Sequence, residues 1–274
     1  MAEKRVKKVV VFTDLDGALL ELRTYSFEGA RYALELLRER DIPIILTTSK
    51  TRREVELWRS RLGVQDPFIS ENGGGVFIPT HLPLPRPEGT EVFNGYWGWA
   101  LGVPYREIRR AVEDLRRRGF PLKGFGDMTA EEVAQITGMT LEEATFAKAR
   151  EFSEPCLFEG DELQLKKALQ PLGLSFWRGG RFLHIQGSHD KGRGMGLITD
   201  LYRKVWGDVQ TIALGDSPND LPMLQRADWP VVVRRRGGLS DNPPPLEGLM
   251  VTSSEGPRGW GEAITELLSQ IDDG

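Results

Sequence analysis

Two aspartates, Asp14 and Asp16, follow directly on the run Val9-Val10-Val11-Phe12-Thr13, whose β-branched and aromatic residues read as a buried strand, and Gly17 stands behind them. A second short apolar run, TIALG, leads into Asp216, Ser217, Asn219 and Asp220 in GDSPND, and a third, IPIIL, ends in the hydroxyl residues Thr47, Thr48 and Ser49. One aspartate at a strand end is ordinary turn chemistry. If the three strands share one parallel sheet, however, these groups meet at its carboxyl edge, where such sheets bind ligands. Carboxylates gathered there cannot all stay ionised without a positive partner. Oxygen ligands of this kind suit a hard dication. Mg²⁺ in particular is usually held by a few carboxylates, water and a phosphate of the substrate. Lys191, in HDKGRG, offers a further cation for that phosphate.

The elements that must position these residues follow from periodicity. In SFEGARYALELLRER, Phe27, Ala30, Ala33, Leu34 and Leu37 recur at helical spacing. After the Thr47 strand, Thr51 and Glu54 form a capping box, Val55, Trp58 and Leu62 share a face, and Gly63 stops the helix. Strands alternating with such helices predict an α/β, Rossmann-like fold with a parallel sheet. The alternation breaks at Pro79, Pro83, Pro85 and Pro87, which suit an extended linker. Beyond it come an amphipathic helix (Ile108, Ala111, Val112, Leu115), capping boxes at Thr129–Glu132 and Thr140–Glu143, and a hairpin turning at Gly179-Gly180. From Asp190 the parallel pattern resumes with a helix bearing Ile198, Leu201, Tyr202 and Val205, the strand TIALG, the helix LPMLQRA and the strand PVVV. The expectation is a core of residues 1–83 and 188–274, interrupted by an α+β cap of residues 84–187. The stretches Arg234–Gly238 and DNPPPLEG read as exposed loops.

Taken in order, DLDGA, TTSK, Lys191 in HDKGRG and GDSPND resemble the four motifs of the haloacid dehalogenase superfamily of phosphotransferases. The resemblance covers roughly residues 7–80 and 188–265, and four weak motifs in the right order are specific together. It implies Asp14 as nucleophile, forming an aspartyl-phosphate, and Asp16 as general acid and base. It implies Mg²⁺ held by Asp14, the backbone carbonyl of Asp16, and Asp216. Thr48, which matches the motif position among the three hydroxyl residues, and Lys191 would hold the phosphoryl oxygens. Asn219 and Asp220 would support them, with Asp220 orienting Lys191. Ala18 stands where the usual motif has threonine, which removes a hydroxyl but no ionisable group.

An insertion between the second and third motifs resembles the sugar-phosphatase branch with large caps. Within it, TTSKT, ISENGGGVFIP and WRGGRFLHIQGSHDKG are similar to the mannosyl-3-phosphoglycerate phosphatases. The implied substrate is a small phosphorylated sugar-glycerate. Its carboxylate would meet Arg178, Arg181 or the backbone N–H groups of Gly179 and Gly180, and its hydroxyls Glu71, Asn72 and His184, with Ser49 and Lys50 nearby. Each has a plainer reading: SENGGG as a tight turn, the arginines as solvated turn residues, His184 as packed. A sucrose- or hexose-phosphate phosphatase and a sugar phosphomutase would use the same aspartate pair. A phosphate sensor with a relic site would have lost an ionisable group, and all are present.

Lysine plus arginine (36) against aspartate plus glutamate (40) leaves −4, which offers no broad basic field for nucleic acid or an anionic membrane. The single cysteine, Cys156, forms no internal disulfide. MAEKRVKK leads into too short an apolar run for a signal peptide, and no run approaches membrane-spanning length, so a cytoplasmic protein is expected.

Overall fold

The structure is a computed structural model and describes residues 8–273; the opening residues read above for a targeting signal lie outside it. In chain order the elements are β1 (Lys8–Thr13), α1 (Arg31–Glu39), β2 (Ile44–Thr47), α2 (Arg52–Leu62), β3 (Phe68–Ser70), β4 (Gly75–Pro79), β5 (Glu91–Phe93) and β6 (Tyr96–Ala100). There follow α3 (Tyr105–Arg117), β7 (Leu122–Gly124), α4 (Ala130–Thr137), α5 (Leu141–Lys148), β8 (Ser153–Phe158), α6 (Glu162–Leu169), β9 (Ser175–Gly179) and β10 (Phe182–Gln186). The last are α7 (Lys191–Trp206), β11 (Val209–Gly215), α8 (Leu221–Leu224), β12 (Trp229–Arg234), β13 (Met250–Glu255) and α9 (Gly256–Asp273).

A nine-stranded sheet runs β13-β12-β11-β1-β2-β3-β4-β6-β5, parallel from β13 to β3 and antiparallel beyond. Strand alternation divides β1 between the two faces. Val9 and Val11 join Leu34, Leu37, Trp58 and Trp260 in one cluster, while Val10 and Phe12 join Ile198, Leu201 and Tyr202 in the other. With helices on both faces, β1 is buried on both sides, which its unbroken apolar run requires. The chain builds β2 and β3 on one flank of β1 and later β11, β12 and β13 on the other. β1 is therefore the switch point of strand order.

The second sheet, β7-β8-β10-β9, is antiparallel, and its β9–β10 hairpin is present as expected, with the turn one residue later, at Gly180 and Arg181, because Gly179 still pairs with Phe182. The capping boxes at Thr51, Thr129 and Thr140 are all formed. Three further details differ from the sequence reading. The proline-rich segment does not leave the large sheet for good, because β5 and β6 return to pair antiparallel beyond β4. The hydrogen-bonded sheet thus continues to Ala100, past the expected change at residue 84. Val205 lies on the solvent side of α7, 44% exposed. α8 is a single turn rather than the whole of LPMLQRA. Among the described residues, no helix is long and apolar enough to cross a membrane.

Gly73 shows how tightly the two flanks of β1 are fitted. It has φ 98° in the turn between β3 and β4, and a Cβ there would lie 2.1 Å from the Asp190 carbonyl oxygen at the entry to α7. Gly73→Ala combines a left-handed backbone with a backbone clash that no side-chain rotation relieves. It should cost about 2–4 kcal/mol in urea unfolding. A loss below about 1 kcal/mol would mean that the α7 entry yields easily.

Candidate active site

Asp14 and Asp16 emerge at the carboxyl end of β1. Trp260, fully buried in α9, donates from Nε1 to Thr13 Oγ1 at 2.8 Å, and that hydroxyl donates to the Asp14 carbonyl at 2.7 Å, which pins the strand end. Gly17, with φ 89°, closes the turn; a Cβ there would come within 2.7 Å of Asp216 Oδ2, so the backbone passes against the acidic cluster only because this residue has none. Asp216, Ser217, Asn219 and Asp220 leave β11 beside it, and Lys191 opens α7 from behind.

Lys191 has no exposed surface. Its ammonium donates to Asp14 Oδ1 at 2.7 Å and to Asp220 Oδ1 at 2.6 Å. The other oxygen of Asp220 accepts from the backbone N–H groups of Asp216 and Ser217, each at 2.9 Å, so Asp220 fixes the lysine and the GDSPND turn together. Asp14, Asp216 and Asp220 bring carboxylate oxygens within 4.8 Å of one another. Burial raises the Asp14 carboxyl to about 6, against the pull of Lys191, and raises Asp216 well above the usual carboxylate range, with Asp220 and Asp14 adding to it. Burial opposes the charge on Lys191 too, yet Asp14 and Asp220 hold it above the ordinary lysine value. Burial thus acts against charge at all three groups, and the surplus of carboxylates over the ammonium adds to it at Asp216 while overcoming it at Lys191.

That surplus, and the oxygens left over, define what the cluster accepts. Oδ1 and Oδ2 of Asp216 and Oδ1 of Asp16 are buried without a hydrogen-bond partner. Unpaired buried carboxylate oxygens at the edge of a parallel sheet fit a hard divalent cation.

Above this floor opens a cleft of about 730 Å³, lined on the large-sheet side by Asp14, Asp16, Ser49, Lys50, Asn72 and Asn219, among others. Its other wall comes from the smaller-sheet region and includes Trp177, Arg178, Gly179, Gly180, Arg181 and His184. The volume suits a ligand of disaccharide size. Most of the residues expected at a site therefore meet around one cavity. Thr48 has no exposed surface, its Oγ1 accepting from the Lys50 N–H at 3.3 Å, and Ser49 and Lys50 next to it line the cleft. Lys50 pairs with Asp16 Oδ2 at 2.9 Å. Arg178 pairs with Glu162, and Arg181 donates to the Ile136 carbonyl, both at the rim. His184 borders the cleft with Nδ1 unpartnered, and burial, with Arg150, pushes its pKa down to about 3, so the ring is neutral.

Glu71 does not reach the cleft. Its buried carboxylate accepts from the N–H groups of Glu151 (2.8 Å) and Phe152 (3.1 Å) and from Ser153 Oγ (2.6 Å), clasping the chain that enters β8. Asn72, its neighbour, does face the cavity and links three segments. It accepts from Asn219 Nδ2 at 3.0 Å and donates to Gln186 Oε1 at 3.2 Å. SENGGG is thus a tight turn with one residue aimed at the site.

Two arginines were missed. Arg150 donates from Nη1 to the Ser49 carbonyl at 2.9 Å and lines the cleft. Arg235 places Nε 2.7 Å from Asp216 Oδ2. Arg235 sits in a stretch read as an exposed loop, and nothing periodic marks Arg150.

Residues 11–81 match the haloacid dehalogenase-like hydrolase family. A glucosyl-3-phosphoglycerate/mannosyl-3-phosphoglycerate phosphatase of Methanococcoides burtonii is 42% identical over 268 residues, 96% of this chain and 98% of that protein. A mannosyl-3-phosphoglycerate phosphatase of Pyrococcus horikoshii is 35% identical over 82% of this chain and 90% of its own length. A solved phosphatase of the haloalkanoate enzyme superfamily from Bacteroides thetaiotaomicron shares the fold, with TM-score 0.65 at 18% identity, covering 99% of this chain and 98% of that one. Identity of this extent, end to end, is shared ancestry of the whole chain, and the protein belongs to the haloacid dehalogenase-like hydrolases, in the family of the glucosyl-3-phosphoglycerate/mannosyl-3-phosphoglycerate phosphatases.

Proposed function

We propose that the protein is a Mg²⁺-dependent phosphoric monoester hydrolase that removes the phosphate of mannosyl-3-phosphoglycerate, and of its glucosyl counterpart, to leave the glycosylglycerate. The observation that carries the reading is Lys191 held between Asp14 and Asp220 beneath a two-walled cleft, in a chain alike end to end with relatives bearing those names. The dual name of the more similar relative favours acceptance of both sugars. The wall formed by residues beyond Ala100 up to Gln186 would act as the cap that encloses the sugar-glycerate and excludes water.

In the first step a carboxylate oxygen of Asp14 attacks phosphorus. The bond to the ester oxygen breaks, and Asp16 protonates that oxygen as it leaves. In the second, Asp16 takes a proton from water, which attacks the same phosphorus and releases phosphate and free Asp14. Lys191 stabilises the phosphoryl oxygens as their charge shifts, and Asp220 holds it in place. Thr48, at the end of β2, would hold a phosphoryl oxygen together with Lys191, and Ser49 and Lys50 line the cleft beside it. Lys50, already on Asp16, keeps that side chain at the mouth of the site. Mg²⁺, held by Asp14, the Asp16 carbonyl and Asp216, would supply charge neutralisation and alignment of the phosphoryl group. At the far end, the second N–H groups of Arg178 and Arg181 and the backbone of Gly179 and Gly180 would receive the glycerate carboxylate, and neutral His184 the sugar hydroxyls.

Asp14→Asn should lower kcat at least about 10⁴-fold because the nucleophile is lost, while the circular dichroism of the folded protein is kept even though the ion pair to Lys191 is weakened. Near-normal turnover would remove the covalent route. Phosphate release should cease in EDTA and return with Mg²⁺; activity indifferent to chelation would refute the cation's part. Mannosyl-3-phosphoglycerate should be hydrolysed about 10²-fold better, by kcat/KM, than mannose 6-phosphate or 3-phosphoglycerate. Arg181→Ala should raise KM about tenfold for the carboxylate-bearing substrate, the equivalent of one charge-assisted hydrogen bond, with little change in kcat. Equal rates on all three compounds would leave only a general phosphatase.

A further inference from the structure

Asp216 is the carboxylate of the cluster that Lys191 does not serve, since the lysine's contacts go to Asp14 and Asp220. It is fully buried, both of its oxygens lack a hydrogen bond, and among the described residues the one cation in contact with it is Arg235, with Nε 2.7 Å from Oδ2. The N–H of Arg235 is not aligned on the carboxylate, and Nε counts among the unsatisfied donors. The contact is therefore charge against charge without a directed hydrogen bond, weaker than the fork that guanidinium makes with a carboxylate when geometry is free.

The loop that carries Arg235 is nonetheless fastened to Asp216. Leu239 N–H donates to the Asp216 carbonyl at 2.8 Å, Arg235 N–H donates to Ser240 Oγ at 3.1 Å, and Ser240 Oγ donates back to the Arg235 carbonyl at 2.9 Å. The backbone is fixed while the side chain, about a quarter exposed at 26%, borders the open cleft and can swing into it. Charge favours the arrangement. Asp14, Asp216 and Asp220 against Lys191 leave two negative charges, and Arg235 halves the excess.

We propose that Arg235 is an exchangeable counter-cation: it neutralises Asp216 while no divalent ion is bound, is displaced into the cleft when one binds, and so sets the affinity of the site for that ion. The inference rests on the reading of Asp14 and Asp216 as cation ligands. It separates from a plain anchoring role for Arg235, because an arginine that only bound substrate would leave cation affinity in the empty enzyme untouched.

Mn²⁺ titration of the substrate-free protein, followed by the electron paramagnetic resonance of free Mn²⁺, is the test. Arg235→Gln should bind Mn²⁺ about three- to tenfold more tightly than the wild type, and its thermal midpoint in EDTA should fall, with the gap closing once Mn²⁺ is added. Arg235→Ala, which loses the same charge through a different side chain, should shift the same way. Arg235→Lys, which keeps the charge, should stay within about twofold of the wild type. Arg236→Gln, an exposed neighbour with no contact to Asp216, should not change the affinity. Unchanged or weaker Mn²⁺ binding in Arg235→Gln and Arg235→Ala would overturn the proposal. Absence of Mn²⁺ binding in the wild type would instead overturn the cation reading beneath it.

Discussion

A lysine with no exposed surface cannot stand in a protein interior alone. Lys191 does so because Asp14 and Asp220 reach it from two different strand ends, and most of the site's architecture follows from that requirement. Removing one partner of such a buried pair typically costs about 3–5 kcal/mol, whereas an exposed pair such as Arg31 with Glu28 is screened by solvent and adds little. The start of α7 must therefore meet the ends of β1 and β11 closely. The fits around it show the cost in side-chain volume: Gly73 admits the Asp190 carbonyl, and a Cβ on Gly192 would lie 2.2 Å from the Pro222 carbonyl. Asp190 caps the helix by accepting from the Arg193 N–H at 2.8 Å. A helix start is a poor place for a cation. Here the two carboxylates outweigh the helix dipole.

The same turn that admits α7 also ties the two walls of the cleft together, and it does so with adjacent residues of opposite duty. Glu71, at φ 47°, turns its carboxylate away from the cavity to hold the chain entering β8. Burial raises its pKa, against the pull of Arg150 and of its donors, and the donors satisfy it. Asn72, at φ 56°, turns the other way and relays hydrogen bonds from Asn219 to Gln186 at the end of β10. Phe152 completes the junction by filling space left by Gly74, Gly75 and Gly102, where a Cβ would lie 2.4, 2.9 and 2.7 Å from its atoms. The glycines of SENGGG are thus occupied by packing partners rather than by ligand.

Much of this was legible in the sequence where local chemistry and tertiary role coincide. The apolar run before Asp14, the capping boxes at Thr51, Thr129 and Thr140, and the β9–β10 hairpin each follow from a short-range rule, and each is present. The readings that missed concern side chains whose partners lie far along the chain. Glu71 finds its donors eighty and more positions away, and Arg150 its carbonyl at a separation of 101. Arg235 reads as one of three successive solvated arginines, and only the return of the chain past Asp216 through Leu239 tells it from the others. The proline-rich stretch misled for a different reason. Proline breaks an element locally but says nothing of whether the chain will later return to the same sheet, as β5 and β6 do.

The charges around the cleft are arranged in two groups, and this bears on what shape of ligand the site distinguishes. At the floor, Lys191 sits between Asp14 and Asp220 and Lys50 on Asp16, and a divalent cation on the surplus carboxylates would make this end attractive to an anion. At the rim, Arg178 pairs with exposed Glu162, and Arg181 donates to a carbonyl and has no ion pair among the described residues. An exposed pair is weak and readily exchanged for a better acceptor. A ligand with one anionic end could satisfy the floor or the rim but not both, and the unused cations would then gain nothing from its binding. A ligand anionic at both ends, with hydroxyls between them to meet neutral His184 and the amide of Asn72, would engage the floor and the rim together. On the proposed reading, the discrimination would come from the separation of two modest charge groups across the cleft, rather than from any single strong contact.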